Sequence, residues 1–216
     1  MEKNLRVTGK ASLKVKPDRT EIILTLTGTE EDYGKALALS AKKTEALRAC
    51  FEKAGFDGKD LKTTDFSVNA KYENHTDGSG NYRRRFAGYE FRHVMKTAFA
   101  AGGENLGRAL SAVSSCPAEP EFEIAYTVSD PEKAKNQLLK AAVENSFEKA
   151  MVLARAAGVG LGDIVSIDYS WENLPLEVRP MGRMLKANAP MAAMNLNIEP
   201  EDAEISDSVT VVWEIK

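Results

Sequence analysis

Short runs of this chain repeat at a fixed offset of 103 residues, and that echo constrains the fold more than any single motif. Ala54-Gly55-Phe56 answers Ala157-Gly158-Val159, Asp60-Leu61 answers Asp163-Ile164, and Asp65-Phe66-Ser67 answers Asp168-Tyr169-Ser170, all without a gap. Carried backwards, the offset lays Thr20 to Thr27 on Glu123 to Asp130. The first copy reads as strand, helix and strand. Glu21 to Thr27 puts Ile22, Leu24 and Leu26 on one face, the period of a strand covered on one side. Glu30 to Ala54 carries Leu37, Thr44, Leu47, Phe51 and Ala54 at helical spacing, then Gly55, where a helix end favours a left-handed residue. Leu61 to Tyr72 reads as a strand, Asn74 to Asn81 as a polar turn, and Tyr82 to Phe99 as a long returning strand.

The second copy follows the break at Ala101-Gly102-Gly103. Glu104 to Val113 predicts a short helix, and Glu121 to Val128 a strand facing Phe122, Ile124, Tyr126 and Val128 inward. Ser129-Asp130-Pro131-Glu132 opens a helix: Asp130 caps free amides, Pro131 suits the first position, and Glu132 favours the positive dipole end. That helix runs through Leu139, Val143, Phe147, Ala150, Ala154 and Ala157 to Gly158. Ile164 to Trp171 and Ser208 to Ile215 read as strands. The pattern predicts an α+β fold of two small antiparallel-sheet units, each with a long helix packed on one face, related by internal duplication. The expected units are 1–86 and 87–216, with strand 82–99 shared between them and a Met/Pro-rich arm at 174–207.

Composition narrows function mainly by exclusion. At 43% hydrophobic and 28% charged residues, the chain is neither disordered nor fibrous. Residues 1–100 carry a charge of +5 and the remainder −8, giving the net −3, so neither half announces DNA. No stretch approaches the ~18 apolar residues of a membrane span. Met1 to Lys10 holds Glu2, Lys3, Arg6 and Lys10 with no apolar run, which predicts the cytoplasm; a periplasmic or extracytoplasmic place requires a leader removed ahead of Met1. Cys50 and Cys116 form no CxxC and no disulfide framework, and read as two reduced structural thiols.

Catalytic chemistry is not signalled. His75 falls in the polar turn and His93 on a strand face with Tyr89, Phe91, Met95 and Phe99, without a third ligand at metal spacing. No G-x-S-x-G elbow is present, and Gly158-Val159-Gly160-Leu161-Gly162 follows a helix instead of opening one, so it ends a helix and does not cradle phosphate. The chain is accordingly read as non-enzymatic, with no cofactor and no metal. Tyr82-Arg83-Arg84-Arg85-Phe86 is the sharpest positive feature. Arg83, Arg84 and Arg85 between aromatics suit an acidic ligand, a protein partner or single-stranded RNA, although a charge-protected edge strand explains them as well. The arm holds Met181, Met184, Met191 and Met194, whose adaptable side chains are candidates for an oligomer interface.

The order of several stretches resembles the SIMPL-domain family, which includes bacterial periplasmic immunogenic proteins and a cytosolic partner of an animal Pelle-like kinase. Those stretches are Val7-Thr8-Gly9-Lys10-Ala11 with Pro17-Asp18, Gly88-Tyr89, Ser129-Asp130-Pro131, Lys149-Ala150, Ala156-Ala157-Gly158 with Leu161-Gly162, Ala189-Pro190-Met191-Ala192 and Ile198-Glu199-Pro200. The resemblance implies a two-part α+β fold, large ring-like or channel-like homo-oligomers, and links to stress and envelope physiology. It implies no established enzyme activity and supplies no catalytic residues. The sequence departs from the family in lacking an export signal and in placing Glu201 where many members have Gly.

Overall fold

The computed structural model describes residues 3–76, 82–169, 185–186 and 200–216 and has an α+β fold with two antiparallel sheets. In chain order the elements are β1 (Asn4–Val15), β2 (Arg19–Glu30), α1 (Tyr33–Lys53), β3 (Lys62–Thr76), β4 (Tyr82–Ala100), α2 (Gly103–Ser114), β5 (Glu121–Thr127), α3 (Pro131–Ala157), β6 (Leu161–Asp168), β7 (Leu185–Lys186) and β8 (Ala203–Ile215). They fall into two compact units. A terminal unit contains β1, α3, β6 and β8; a hairpin unit contains β2, α1, β3, β4, α2, β5 and β7.

The hairpin unit has the strand order β3-β4-β2-β5, with the two residues of β7 paired to Phe122 and Glu121 on the outer edge of β5. Alternation along β2 buries Ile22, Leu24 and Leu26 completely, as the sequence pattern predicts. Leu47 and Phe51 of α1, Phe91 and Met95 of β4, and Leu106, Leu110 and Val113 of α2 fill the same core. Each such side chain contributes about 1.5–3 kcal/mol by leaving water. The helix starts at Tyr33, later than expected, because the Asp32 carboxylate accepts the Lys35 amide at 3.2 Å and sets the cap. Its first turns meet the sheet through Ala36 and Ser40, which turns the expected core residue Leu37 towards solvent.

The terminal unit has the order β1-β8-β6. β1 and β8 pair without a break from Asn4↔Glu214 to Val15↔Ala203. β1 has no counterpart among the predicted strands, although Leu5, Val7, Gly9, Ala11, Leu13 and Val15 alternate along it. Its apolar signal is diluted by Gly9, and the glycine is required: a Cβ there would lie 2.0 Å from the carbonyl oxygen of Ala142. Along α3 the residues buried against the sheet are Ala134, Leu138, Ala142, Ser146, Ala150 and Ala154. The expected seam is therefore rotated. Leu139 and Val143 flank the core, and Phe147 is half-exposed with its ring 5.6 Å from Trp213. Asp130 caps α3 as predicted, accepting the Lys133 amide at 2.9 Å, and Gly158 ends it at φ 70°.

The echo at offset 103 has a geometric counterpart at the two helix ends. Phe56 and Val159 donate to the carbonyls of Phe51 and Ala154, each at 3.0 Å, while Gly55 and Gly158 donate to Glu52 and Arg155. Beyond the helix ends the parallel stops: β2, α1 and β3 lie in one unit, whereas β5 lies apart from α3 and β6. The boundary expected at 86/87 falls inside β4, which pairs with β3 on both sides of that point. Residues expected in the arm after 203 belong to β8; of the rest, 174–184 and 187–199 lie outside the described residues, with Met181, Met184, Met191 and Met194 among them. No helix among the described residues is long and apolar enough to cross a membrane.

Candidate functional site

β4 is 19 residues long, and only Tyr89–Ala100 pairs with β2. Its first residues, Tyr82 to Gly88, pair with β3 alone and make a two-stranded ribbon that extends past the end of β2. The junction is a β-bulge: Tyr72 faces Phe86 and Lys71 faces Gly88, leaving Ala87 as the extra residue. Gly88 sits there at φ 120°, where an added Cβ would lie 2.4 Å from the Glu30 carbonyl oxygen, so no other residue fits without displacing the end of β2. The bulge also changes the alternation. Phe86 and Tyr89, three residues apart, now share the face on which Ala70 and Tyr72 lie.

The result is a connected aromatic ridge. Tyr33 at the start of α1 meets Tyr89 edge-to-face at 5.6 Å, Tyr89 meets Phe86 at 5.4 Å, and Phe86 meets Tyr72 at 5.8 Å. The Arg84 guanidinium lies 4.9 Å above the Tyr72 ring. Each ring pair is worth about 0.5–1.5 kcal/mol and an exposed cation–π contact about 0.5–1 kcal/mol. These contacts stiffen a ribbon that would be marginal by itself. They do not bury it: Tyr72 is 50%, Phe86 45% and Tyr82 86% exposed. Arg83, Arg84 and Arg85 are all exposed, facing His75, Asn74 and Glu73 in register, and with Lys71 they outnumber Glu73.

The opposite face of the same strands is tied by ion pairs. Lys71 pairs with Glu90, Arg92 with Asp65 at 3.0 Å, and Lys96 with Glu21 at 3.5 Å. The hydrogen bond from Lys71 to Glu90, with the carboxylate's charge, raises the lysine pKa. Exposed pairs of this kind contribute little to stability, so this face orders the strands without forming a site.

His93 is buried beneath α1. Thr44 donates to the Ser40 carbonyl at 2.8 Å, so its hydroxyl oxygen accepts from His93 Nδ1 at 3.0 Å. Nε2, left as the acceptor, takes the Thr63 hydroxyl proton at 2.8 Å. Burial, reinforced by the positive charge of Arg48, lowers the His93 pKa. Phe66 closes the ring off with an edge-to-face contact at 5.2 Å. An open depression of about 490 Å³ runs past Leu37, Thr44, Glu45, Arg48, Phe66 and His93, but both imidazole nitrogens are already engaged. The ring is a neutral polar staple between α1 and β3. Among the described residues, no three His, Cys, Asp or Glu side chains are placed to hold a metal ion.

The sequence pattern singled out Tyr82 to Phe86 but missed Tyr33, Tyr72 and Tyr89. Tyr72 and Tyr89 were visible as aromatics flanking the polar turn, and the Gly88 that aligns them was the available clue. Tyr33 carried no such signal, because only the packing of α1 brings it to the ridge.

A family model described as SIMPL, protein of unknown function (DUF541), matches residues 5–213. The 26 kDa periplasmic immunogenic protein of Brucella melitensis is 26% identical over 214 residues, covering 98% of this chain and 84% of that protein. The uncharacterized protein YggE of Escherichia coli K12 is 29% identical over 93 residues, 43% of this chain and 37% of that protein. YggE of Edwardsiella ictaluri is 21% identical over 210 residues, 96% of this chain and 85% of that protein. The solved regulatory subunit of aspartate kinase from Thermus flavus aligns over 97% of this chain and 90% of its own at 12% identity. Its TM-score is 0.15.

Proposed function

The chain belongs to the SIMPL family, whose function is unknown, and from that premise we propose that it is a non-enzymatic, self-assembling protein whose copies dock through the β3–β4 ribbon. The observation that carries this reading is the aromatic ridge from Tyr33 to Tyr72, held rigid by its own contacts yet left half-exposed. Rigid aromatic side chains lose little entropy on docking, which favours them as interface anchors. A second copy suits the ribbon because Arg83, Arg84 and Arg85 meet a chain whose residues 101–216 carry −8. The methionines at 181, 184, 191 and 194 provide a second, adaptable contact in this reading. The name of the Brucella relative supports a periplasmic setting, and with it a structural role in the cell envelope.

Light scattering behind size exclusion tests the proposal. The wild-type chain is expected well above its 23.6 kDa monomer mass, falling towards it at high salt, in a Tyr72→Ser/Phe86→Ser double variant, and on deletion of residues 179–194. A wild-type monomer at every salt concentration overturns self-assembly. One observation favours a second reading, a module for acidic ligands or single-stranded RNA. Arg84 stacked on Tyr72, with Tyr82 open nearby, is the kind of surface on which bases stack between cations. It predicts salt-sensitive anisotropy of a labelled oligonucleotide, abolished by replacing Arg83, Arg84 and Arg85 with Ala. Absent or salt-independent binding removes it.

A further inference from the structure

β3 is the outermost strand of the hairpin unit's sheet, so among the described residues one of its edges has no strand beside it. Between its two bulges, at Thr63/Asp65 and Lys71/Tyr72, it runs without interruption from Asp65 to Lys71, in register with Val94 to Gly88. A row of free N–H and C=O groups invites another strand, and edges are normally blunted by bulges and by charge. Here the bulges lie outside the regular stretch, and the charges stand at its two ends with opposite sign, Asp65 at one and Lys71 at the other. The residues between them alternate. Phe66, Val68 and Ala70 share the face of the aromatic ridge, where Val68 packs on the core and Phe66 is half-exposed, while Ser67 and Asn69 share the face of the ion pairs.

We propose that two copies of this chain pair through that edge, β3 against β3 and antiparallel, about a two-fold axis at Val68. The pairing rests on the self-assembly reading above and names the strand by which copies join. Asp65 then meets Lys71 of the second copy and Lys71 meets its Asp65, while Phe66 meets Ala70 and Ser67 meets Asn69, with Cβ atoms about 4.5–5.5 Å apart. Within each chain Asp65 already holds Arg92, and Lys71 holds Glu90. Pairing therefore completes a row of alternating sign, Glu90 and Lys71 from one copy followed by Asp65 and Arg92 from the other, and the two-fold repeats the row. On the opposite face Phe66 covers Ala70 of the second copy, whose small side chain leaves it room. A shift by one residue in either direction sets Asp65 opposite Ala70 or Tyr72 and breaks both ion pairs, which fixes the register. A peptide of another protein would meet the same free edge, but only a second copy necessarily brings a lysine opposite Asp65 and an aspartate opposite Lys71.

The test uses the full chain at low salt and two charge variants that complement each other. Asp65→Lys and Lys71→Asp each set like charges together at both ends of the pairing and should weaken self-association by about tenfold in sedimentation. Mixed in equal amounts, the two variants again bring opposite charges together and should associate as tightly as the wild type. In the wild type itself, hydrogen exchange of residues 65–71 should slow as protein concentration rises, a readout that needs no variant to fold. A mixture that associates no better than its separate components, or exchange in 65–71 that ignores concentration while the wild type associates, overturns the pairing. Association untouched by either charge substitution but lost in Tyr72→Ser/Phe86→Ser also overturns it and leaves ribbon docking standing. The reverse pattern, association lost with either charge and restored in the mixture but unchanged in the ridge variant, supports the pairing and removes the ridge as the anchor. A wild-type monomer at every concentration overturns both.

Discussion

Where α1 meets its sheet, Leu47 and Phe51 reach between Ile22, Leu24 and Leu26; where α3 meets its sheet, Ala142, Ser146 and Ala150 pack tightly over Gly9. Both arrangements cover one face of an antiparallel sheet with a helix, but they draw stability from different terms. The hairpin unit removes large apolar area from water, so truncation harms it most. The terminal unit gains from close approach, with dispersion contacts between backbones that no side chain separates, so enlargement harms it most.

The largest effect should come from breaking that close approach. Gly9→Val puts a Cβ 2.0 Å from the Ala142 carbonyl oxygen and 2.6 Å from the Ser146 amide nitrogen, and should cost on the order of 5 kcal/mol. Segment-resolved hydrogen exchange should then lose protection in β1, α3 and β8 while β2 and β4 stay protected; protection retained in β1 and α3 would show that the glycine is dispensable. In the hairpin unit the comparable injury is truncation. Phe51→Ala should cost about 4 kcal/mol by urea denaturation, with the protection pattern inverted. If both variants lose the same segments, the two cores are not independent in the way their packing suggests.

A smaller effect sharpens the contrast through pH. The folded state holds His93 neutral with a lowered pKa, whereas the unfolded ring takes a proton near 6.5. Above that pH both states are neutral and the ring contributes no pH dependence. As pH falls below 6.5 the unfolded state binds the proton that the folded ring resists, so stability drops until the lower folded pKa is passed. Urea midpoints at about pH 7.5 and pH 5.5 should therefore diverge in the wild type and converge in His93→Gln, and the change should appear in hairpin-unit amides. An unaltered slope in the variant would assign the pH dependence to another group.

The same contrast explains what the sequence disclosed. β2, α1 and the long β4 were legible because large residues recur at the period of their element, as Ile22, Leu24 and Leu26 do. β1 and the first half of the buried stripe of α3 were not, because their facing residues include Gly9, Ala11, Ala142 and Ser146, which hydropathy ranks low although packing depends on them, whereas Ala150 and Ala154 lie on the face that the spacing predicts. Helix caps were readable at Asp130 and Gly158 because capping is local chemistry. The arginines of the ribbon stood out as charge, whereas the ridge behind them required knowing that Gly88 shifts the alternation by one residue.

β8 is the central strand of the terminal unit, with β1 on one side and β6 on the other, and it is the last described strand to leave the ribosome. Every strand of the large sheet has been made by then, so the hairpin unit can bury its core during synthesis. β1, translated before the other described strands, must instead wait for β8, the last of them. Until Val209, Val211 and Trp213 arrive, the apolar faces of β1 and α3 have no sheet to join, which makes the nascent terminal unit the part of this protein that most needs a chaperone.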